Sequence, residues 1–273
     1  MKTAERQKEV ALILPKNLTE EQLNAVRVHE QALEKEKAGV SVLRYFFGAE
    51  QNLANNTAFR DKVRRADEVH ILLDLNDGDT LFYLGVTVSA GKKIVPIGDL
   101  QETDGKSFQN VMLDNFKGAS PVGLYGENTN YKKGTEAYKA YICCSVRGAN
   151  DATRAYVDGL SMGLRIRGVE VHSPPQNTDQ VDSRGWGICG QNGQAIADAD
   201  MIYLVYDPGS KGSRFDLGIA FERGKPLTIV NPDVVQKAAE EGDNFAVFLL
   251  EWAQPSLKKQ LELLDAAKTV KRK

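Results

Sequence analysis

One stretch of this chain repeats another. Ala66-Asp-Glu-Val-His-Ile-Leu-Leu73 returns as Ala199-Asp-Met-Ile-Tyr-Leu-Val-Tyr206, 133 positions later. At that same spacing Leu81-Phe-Tyr-Leu-Gly85 falls on Arg214-Phe-Asp-Leu-Gly218 and Gly91-Lys92 falls on Gly224-Lys225, with no gap. Asn110 and Asn244 correspond at a spacing of 134, each just ahead of an apolar run. Several matches in one register mean a supersecondary unit used twice, which restricts the fold more than composition does.

The hydrophobic pattern predicts what that unit is. Strands are expected at Val10–Leu14, Val40–Phe46, Glu68–Leu73 and Lys93–Ile97, with helices opened by Thr19-Glu-Glu, near Thr57–Arg65 and from Asp79 to Ala90. The second copy has strands near Tyr138–Cys144, Val169–His172, Met201–Tyr206 and Leu227–Val230. Its helices are expected near Asn150–Arg167, Gln191–Asp198 and Ser213–Arg223. Short apolar strands alternating with helices indicate an α/β fold with parallel sheets covered on both faces, Rossmann-like or flavodoxin-like. The polar, glycine-bearing stretch Gly126–Thr135 divides the copies, giving units of 1–130 and 136–273.

Composition narrows the function classes. A formal charge of −2 provides no general field for nucleic acid or an anionic membrane, so neither is an expected partner. Cys143, Cys144 and Cys189 have neither a disulfide nor a metal spacing, and the three histidines His29, His70 and His172 are scattered. No metal or cofactor is expected. The first residues lack the apolar run of a signal peptide and no segment reaches membrane-spanning length, so a cytoplasmic protein is expected. Further self-association into a homo-oligomer stays open.

In parallel sheets, ligands sit beyond the carboxyl ends of the strands, so the residues after each strand carry the functional information. After the first strand of the second unit comes Ser145-Val-Arg-Gly148, opening a helix. Outward helix N–H groups, Val146 in the turn, the forked guanidinium of Arg147 and the close approach allowed by Gly148 suit an anion. An ordinary capped helix start is the plainer reading. His172 ends the next strand, either as a polar terminus or as a catalyst. Trp186, among glycines, is either a loop anchor or a movable aromatic lid. The third strand leads into the glycine-rich Asp207–Gly212 and then Ser213, with Asp216 in the first turn of the following helix. Asp216 either complements the helix dipole or faces the cleft as nucleophile or base. The first copy has Tyr83 there, and Leu14-Pro-Lys-Asn-Leu18 in place of the serine–arginine turn.

Tyr141-Ile-Cys-Cys-Ser-Val-Arg-Gly148, together with Ala199-Asp200, Gly212-Ser-Arg-Phe-Asp-Leu-Gly-Ile-Ala220 and Gly224-Lys225-Pro226, resembles the 2′-deoxynucleoside 5′-monophosphate N-glycosidases of the nucleoside 2-deoxyribosyltransferase superfamily. The resemblance implies a nucleotide or nucleoside small molecule as partner and cleavage, or base exchange, at its N-glycosidic bond. Asp216 would be the carboxylate nucleophile, with Ser145, Val146, Arg147 and Gly148 on the 5′-phosphate. Two departures stand out: the family has glutamate at Asp216 and an aspartate where Asn192 stands. An asparagine cannot act as an acid. Because family members are dimers whose partner completes the site, the resemblance also implies that the two units pack as an internal pseudo-dimer. Phe108-Gln-Asn-Val-Met-Leu113 resembles the completing segment, with Asn110 reaching the site. The expectation is a nucleotide N-glycosidase, a hydrolase, and the alternative is a non-catalytic nucleotide-binding sensor or regulator.

Overall fold

The computed structural model describes residues 8–35, 40–46, 51–118 and 138–254. The first unit runs β1 (Lys8–Leu14), α1 (Glu20–Lys35), β2 (Val40–Phe46), α2 (Leu53–Arg65), β3 (Glu68–Ile71), α3 (Gly78–Ser89), β4 (Lys93–Pro96) and α4 (Phe108–Phe116). The second runs β5 (Lys139–Cys143), α5 (Asp151–Ile166), β6 (Glu170–His172), α6 (Pro174–Asn177), α7 (Trp186–Asp198), β7 (Met201–Leu204), α8 (Lys211–Glu222), β8 (Leu227–Ile229) and α9 (Pro232–Glu240). A last helix, α10, covers the described residues 244–254. The boundary stretch Gly126–Thr135 lies outside the described residues.

Local chemistry explains where these elements begin. Thr19 and Gln22 exchange side-chain bonds with each other's backbone N–H, at 3.2 and 2.9 Å, a capping box that starts α1. Asn52, Asn150 and Ser210 cap α2, α5 and α8 by accepting from the N–H three residues on. The repeated Ala-Asp pair has a structural task in both copies. Asp67 accepts from the N–H of Glu9 and Asp200 from that of Lys139, each at 2.9 Å, tying the third strand of a unit to the start of its first.

Both sheets are wholly parallel and share one order, β2-β1-β3-β4 and β6-β5-β7-β8. Their register repeats as well: Ala11 lies beside Val69 in the first sheet, and Tyr141 beside Ile202 in the second. Alternation along β1 sends Val10, Leu12 and Leu14 to an outer core with Val26 and Leu33 of α1, and Ala11 and Ile13 to an inner one. In the second unit Ala140 and Ile142 face α5, while Tyr141 and Cys143 join that same inner core. One apolar core therefore runs through both units.

At its centre α3 crosses α8, two helices buried on all sides from Thr80 to Ser89 and from Ser213 to Glu222. Gly85 and Gly218 make the crossing possible. A Cβ on Gly85 would stand 2.1 Å from the Phe215 carbonyl oxygen, and one on Gly218 would stand 2.0 Å from that of Phe82. Gly85 with Phe82 and Gly218 with Phe215 are repeat equivalents, so each copy receives the contact it makes. Such reciprocity marks an isologous, two-fold-like interface. The units pack as an internal pseudo-dimer. Phe82, Phe221, Phe245 and Phe248 close the crossing with ring centroids 5.2 to 5.7 Å apart.

Candidate functional site

In the second sheet the chain leaves β5 toward β6 on one side and returns to β7 on the other. The loops after β5 and β7 therefore diverge, leaving a crevice beyond the strand ends. A cavity of about 580 Å³ opens there. Ser145, Val146, Arg147 and Gly148 line it from the turn after β5, and Asp207, Gly209, Ser210, Lys211 and Gly212 from the loop into α8. Asn192 and Asp216 supply its buried polar wall. The first unit closes the far side with Leu75, Lys106, Ser107, Phe108 and Val111.

Asp216 is 6 % exposed, and its Oδ2 accepts from the Tyr141 hydroxyl at 2.6 Å and the Asn192 amide at 3.2 Å. Burial pushes its pKa up to about 7, and these two donors work against that rise. Asn192 is oriented by Thr178, whose hydroxyl donates to Asn192 Oδ1 at 2.6 Å. Thr178 is joined in turn to His172 Nε2 at 3.0 Å. The His172 ring lies parallel to that of Tyr141, with centroids 5.5 Å apart, and burial lowers its proton affinity. Burial also drives the Cys143 and Cys189 thiols well up and Cys144 up to about 12, so none is a thiolate near neutral pH.

Of the residues singled out in the sequence, Asp216, Asn192, Ser145, Val146, Arg147, Gly148 and Gly212 line this one cavity. His172 stands one layer behind it. Ser213 is turned inward, its hydroxyl 2.8 Å from that of Ser210. Trp186 opens α7 and packs on the core instead of crossing the cavity mouth. That helix begins earlier than its apolar pattern suggests, because Asp182 accepts from the N–H groups of Gly187 and Ile188. Asn110 does not reach the cavity. Its amide is spent on its own loop, donating to the Thr103 and Gly105 carbonyls at 2.8 Å and accepting from the Thr103 N–H at 3.1 Å. The first unit enters the site through the flanking Lys106, Ser107, Phe108 and Val111. Phe108 packs on Phe215 with centroids 5.1 Å apart. Nothing in the sequence alone marked Lys106 or Phe108 as cavity residues except their nearness to the Asn110 segment.

In the first unit the counterparts of Asn192 and Asp216 are Phe59 and Tyr83, whose rings meet at 4.4 Å. The Tyr83 hydroxyl donates to Asn56 at 2.5 Å. Aromatic rings thus stand where the second unit has its polar wall. Among the described residues no group of His, Cys, Asp and Glu is arranged to hold a metal ion. None of the described helices is long and apolar enough to cross a membrane.

No family model matches the chain, and no curated protein does. Among solved structures it aligns with an ABC transporter solute-binding protein from Burkholderia multivorans, covering 94% of each chain at 15% identity with a TM-score of 0.25. The resemblance to deoxyribosyltransferases and N-glycosidases is corrected accordingly: no family model and no curated protein supports it. The site chemistry agrees with that correction. The side chain at 216 is one methylene short of the family's glutamate, and its neighbour Asn192 is an amide, which supplies no acid. Glycosidic cleavage, and with it the terms hydrolase and glycosidase, is withdrawn.

Proposed function

We propose that this chain is a non-catalytic binding protein for a small phosphate-bearing molecule of nucleotide type, acting as a sensor or regulator. The observation that carries this reading is the convergence, on one cavity, of three kinds of wall. The Ser145–Gly148 turn and the start of α8 offer backbone N–H groups, with Arg147 and Lys211 nearby, for an anionic group. Asn192 and Asp216 offer hydrogen bonds to a polar middle. Phe108, Phe215, Val111, Ile188 and Leu75 offer apolar surface to a planar ring. The volume of about 580 Å³ falls within the roughly 300–1,000 Å³ usual for small-molecule sites.

In this reading residues 136–273 form the binding unit. Residues 1–130 form a companion unit that has given up its own polar wall and supplies a side to its neighbour's. Calorimetric titration with a panel of the common ribo- and deoxynucleoside 5′-monophosphates, their nucleosides and inorganic phosphate tests it. The expected result is saturable binding that requires the phosphate, with the ligand recovered intact by chromatography. Equal binding of nucleosides and their monophosphates, or release of free base, would overturn it.

A further inference from the structure

The hydrogen bonds behind the cavity all run one way. Asn192 turns its amide nitrogen to Asp216, so its oxygen faces Thr178 and accepts from that hydroxyl. With its proton committed to Asn192, Thr178 accepts from His172 Nε2–H. Tyr141 donates to Asp216 from the other side. Both donors end on Oδ2; Oδ1 takes neither, and Asp216 lines the cavity. The arrangement brings a buried carboxyl into the same cavity as the proposed anion.

We propose that ligand binding in this cavity is coupled to the uptake of a proton from solvent by Asp216, a coupling that rests on the binding reading above. The groups around that carboxyl leave it as the one that changes charge. Tyr141 and Cys143 on β5, Cys144 just after it and Cys189 on α7 are all held protonated by burial. His172, behind Tyr141, is pushed toward its neutral form, which still donates from Nε2. The ammonium of Lys106 is engaged by the Gln180 carbonyl. Arg147 and Lys211 are exposed at the cavity edge, and Asp207 adds a further carboxylate. An incoming phosphate and an ionised Asp216 would be like charges sharing one cavity, the carboxylate on its buried wall, and such a pair is relieved when the carboxyl takes a proton. Burial has already brought Asp216 close to that point, with a pKa of about 7. The Asp216 contribution to affinity is therefore level below about pH 7 and falls above it, by up to tenfold per pH unit, as the proton must be recruited.

The full chain is titrated by calorimetry with the tightest-binding nucleoside 5′-monophosphate of the panel, at pH 6 and pH 8, in buffers of different ionisation enthalpy. The phosphate has its own ionisation near pH 6, so Asp216→Asn is measured in parallel and its proton balance subtracted. The expected result is an uptake, in excess of that of Asp216→Asn, approaching one proton at pH 8 and small at pH 6. Tyr141→Phe removes a donor to the carboxylate and should move the fall in affinity to higher pH. Equal proton uptake in wild type and Asp216→Asn, or a wild-type affinity that does not fall from pH 6 to pH 8 relative to that of Asp216→Asn, would overturn the coupling and leave the site standing. Failure of every monophosphate to bind at pH 6 would overturn both.

Discussion

Gly218→Ala tests the interface that builds the cavity. The added Cβ would lie 2.0 Å from the Phe82 carbonyl oxygen and 2.9 Å from the Val86 nitrogen, while ordinary contact begins near 3.4 Å. Both obstacles are backbone, so no rotamer change relieves them, and α3 and α8 must separate by roughly 1.4 Å. A radial gap of about 0.5–1 Å already forfeits a quarter to a half of each dispersion contact. Both helices are buried on all sides, so the loss spreads into the Phe82, Phe221, Phe245 and Phe248 cluster. Overpacking typically costs about 1–3 kcal/mol, and this site belongs at or above the upper end, less about 1 kcal/mol regained because alanine favours a helix. A net loss of about 2–3 kcal/mol by urea unfolding is expected. Gly85→Ala meets the equivalent carbonyl at 2.1 Å and should cost about the same. One helix separation accommodates both methyls, so the double variant should lose little more than either single, a coupling of about 2 kcal/mol. A Gly218→Ala protein within about 0.5 kcal/mol of wild type, or strict additivity in the double variant, would refute the reciprocal crossing.

The remaining predictions concern single side chains. A carboxyl whose pKa rises from 3.8 to about 7 on folding binds more protons folded than unfolded, so it makes stability fall as pH rises through that window. The full effect is at most about 4 kcal/mol, and melting temperatures between pH 4.5 and 7.5 should decline less steeply in Asp216→Asn than in wild type. Arg147→Ala should weaken monophosphate binding on the order of tenfold or more, as read by calorimetry. Phe108→Ala should reduce affinity for nucleotides more than for inorganic phosphate, since it removes apolar wall contributed by the first unit. Asn110→Ala strips three bonds from the 103–107 loop and should cost about 1–3 kcal/mol in urea unfolding, with binding affected only through that loop.

The scaffold was legible in the sequence because its determinants are local and occur twice. Alternation along β1, the capping residues Thr19 and Asn150, and the Ala-Asp pairs at 66 and 199 each act within a short reach. Repetition at one spacing turned weak signals into a firm one. Half of the site was legible for the same reason: parallel-sheet geometry puts functional residues after strands, and Ser145–Gly148 and Asp216 are there. The other half depends on how two units dock, and no short-range pattern encodes that. Asn110 stood out as a polar residue in a promising segment, yet its amide closes its own loop while Phe108, two positions before it, faces the cavity. Trp186 looked like a loop residue because the helix start that holds it depends on Asp182, four positions earlier. The assignment of chemistry failed for another reason. Motifs at Asp216 and Ser145–Gly148 describe a cradle for an anion and a carboxylate, and a cradle serves binding as well as cleavage.

A crystal structure of the chain with a bound nucleoside 5′-monophosphate tests the central claim most directly. The ligand should lie intact between the units, its phosphate on the Ser145–Gly148 turn and its base against Phe108. Density instead in the surface groove of the first unit whose lining includes Arg65, Lys92, Glu9 and Asp67, or a sugar joined covalently to Asp216, would contradict the account.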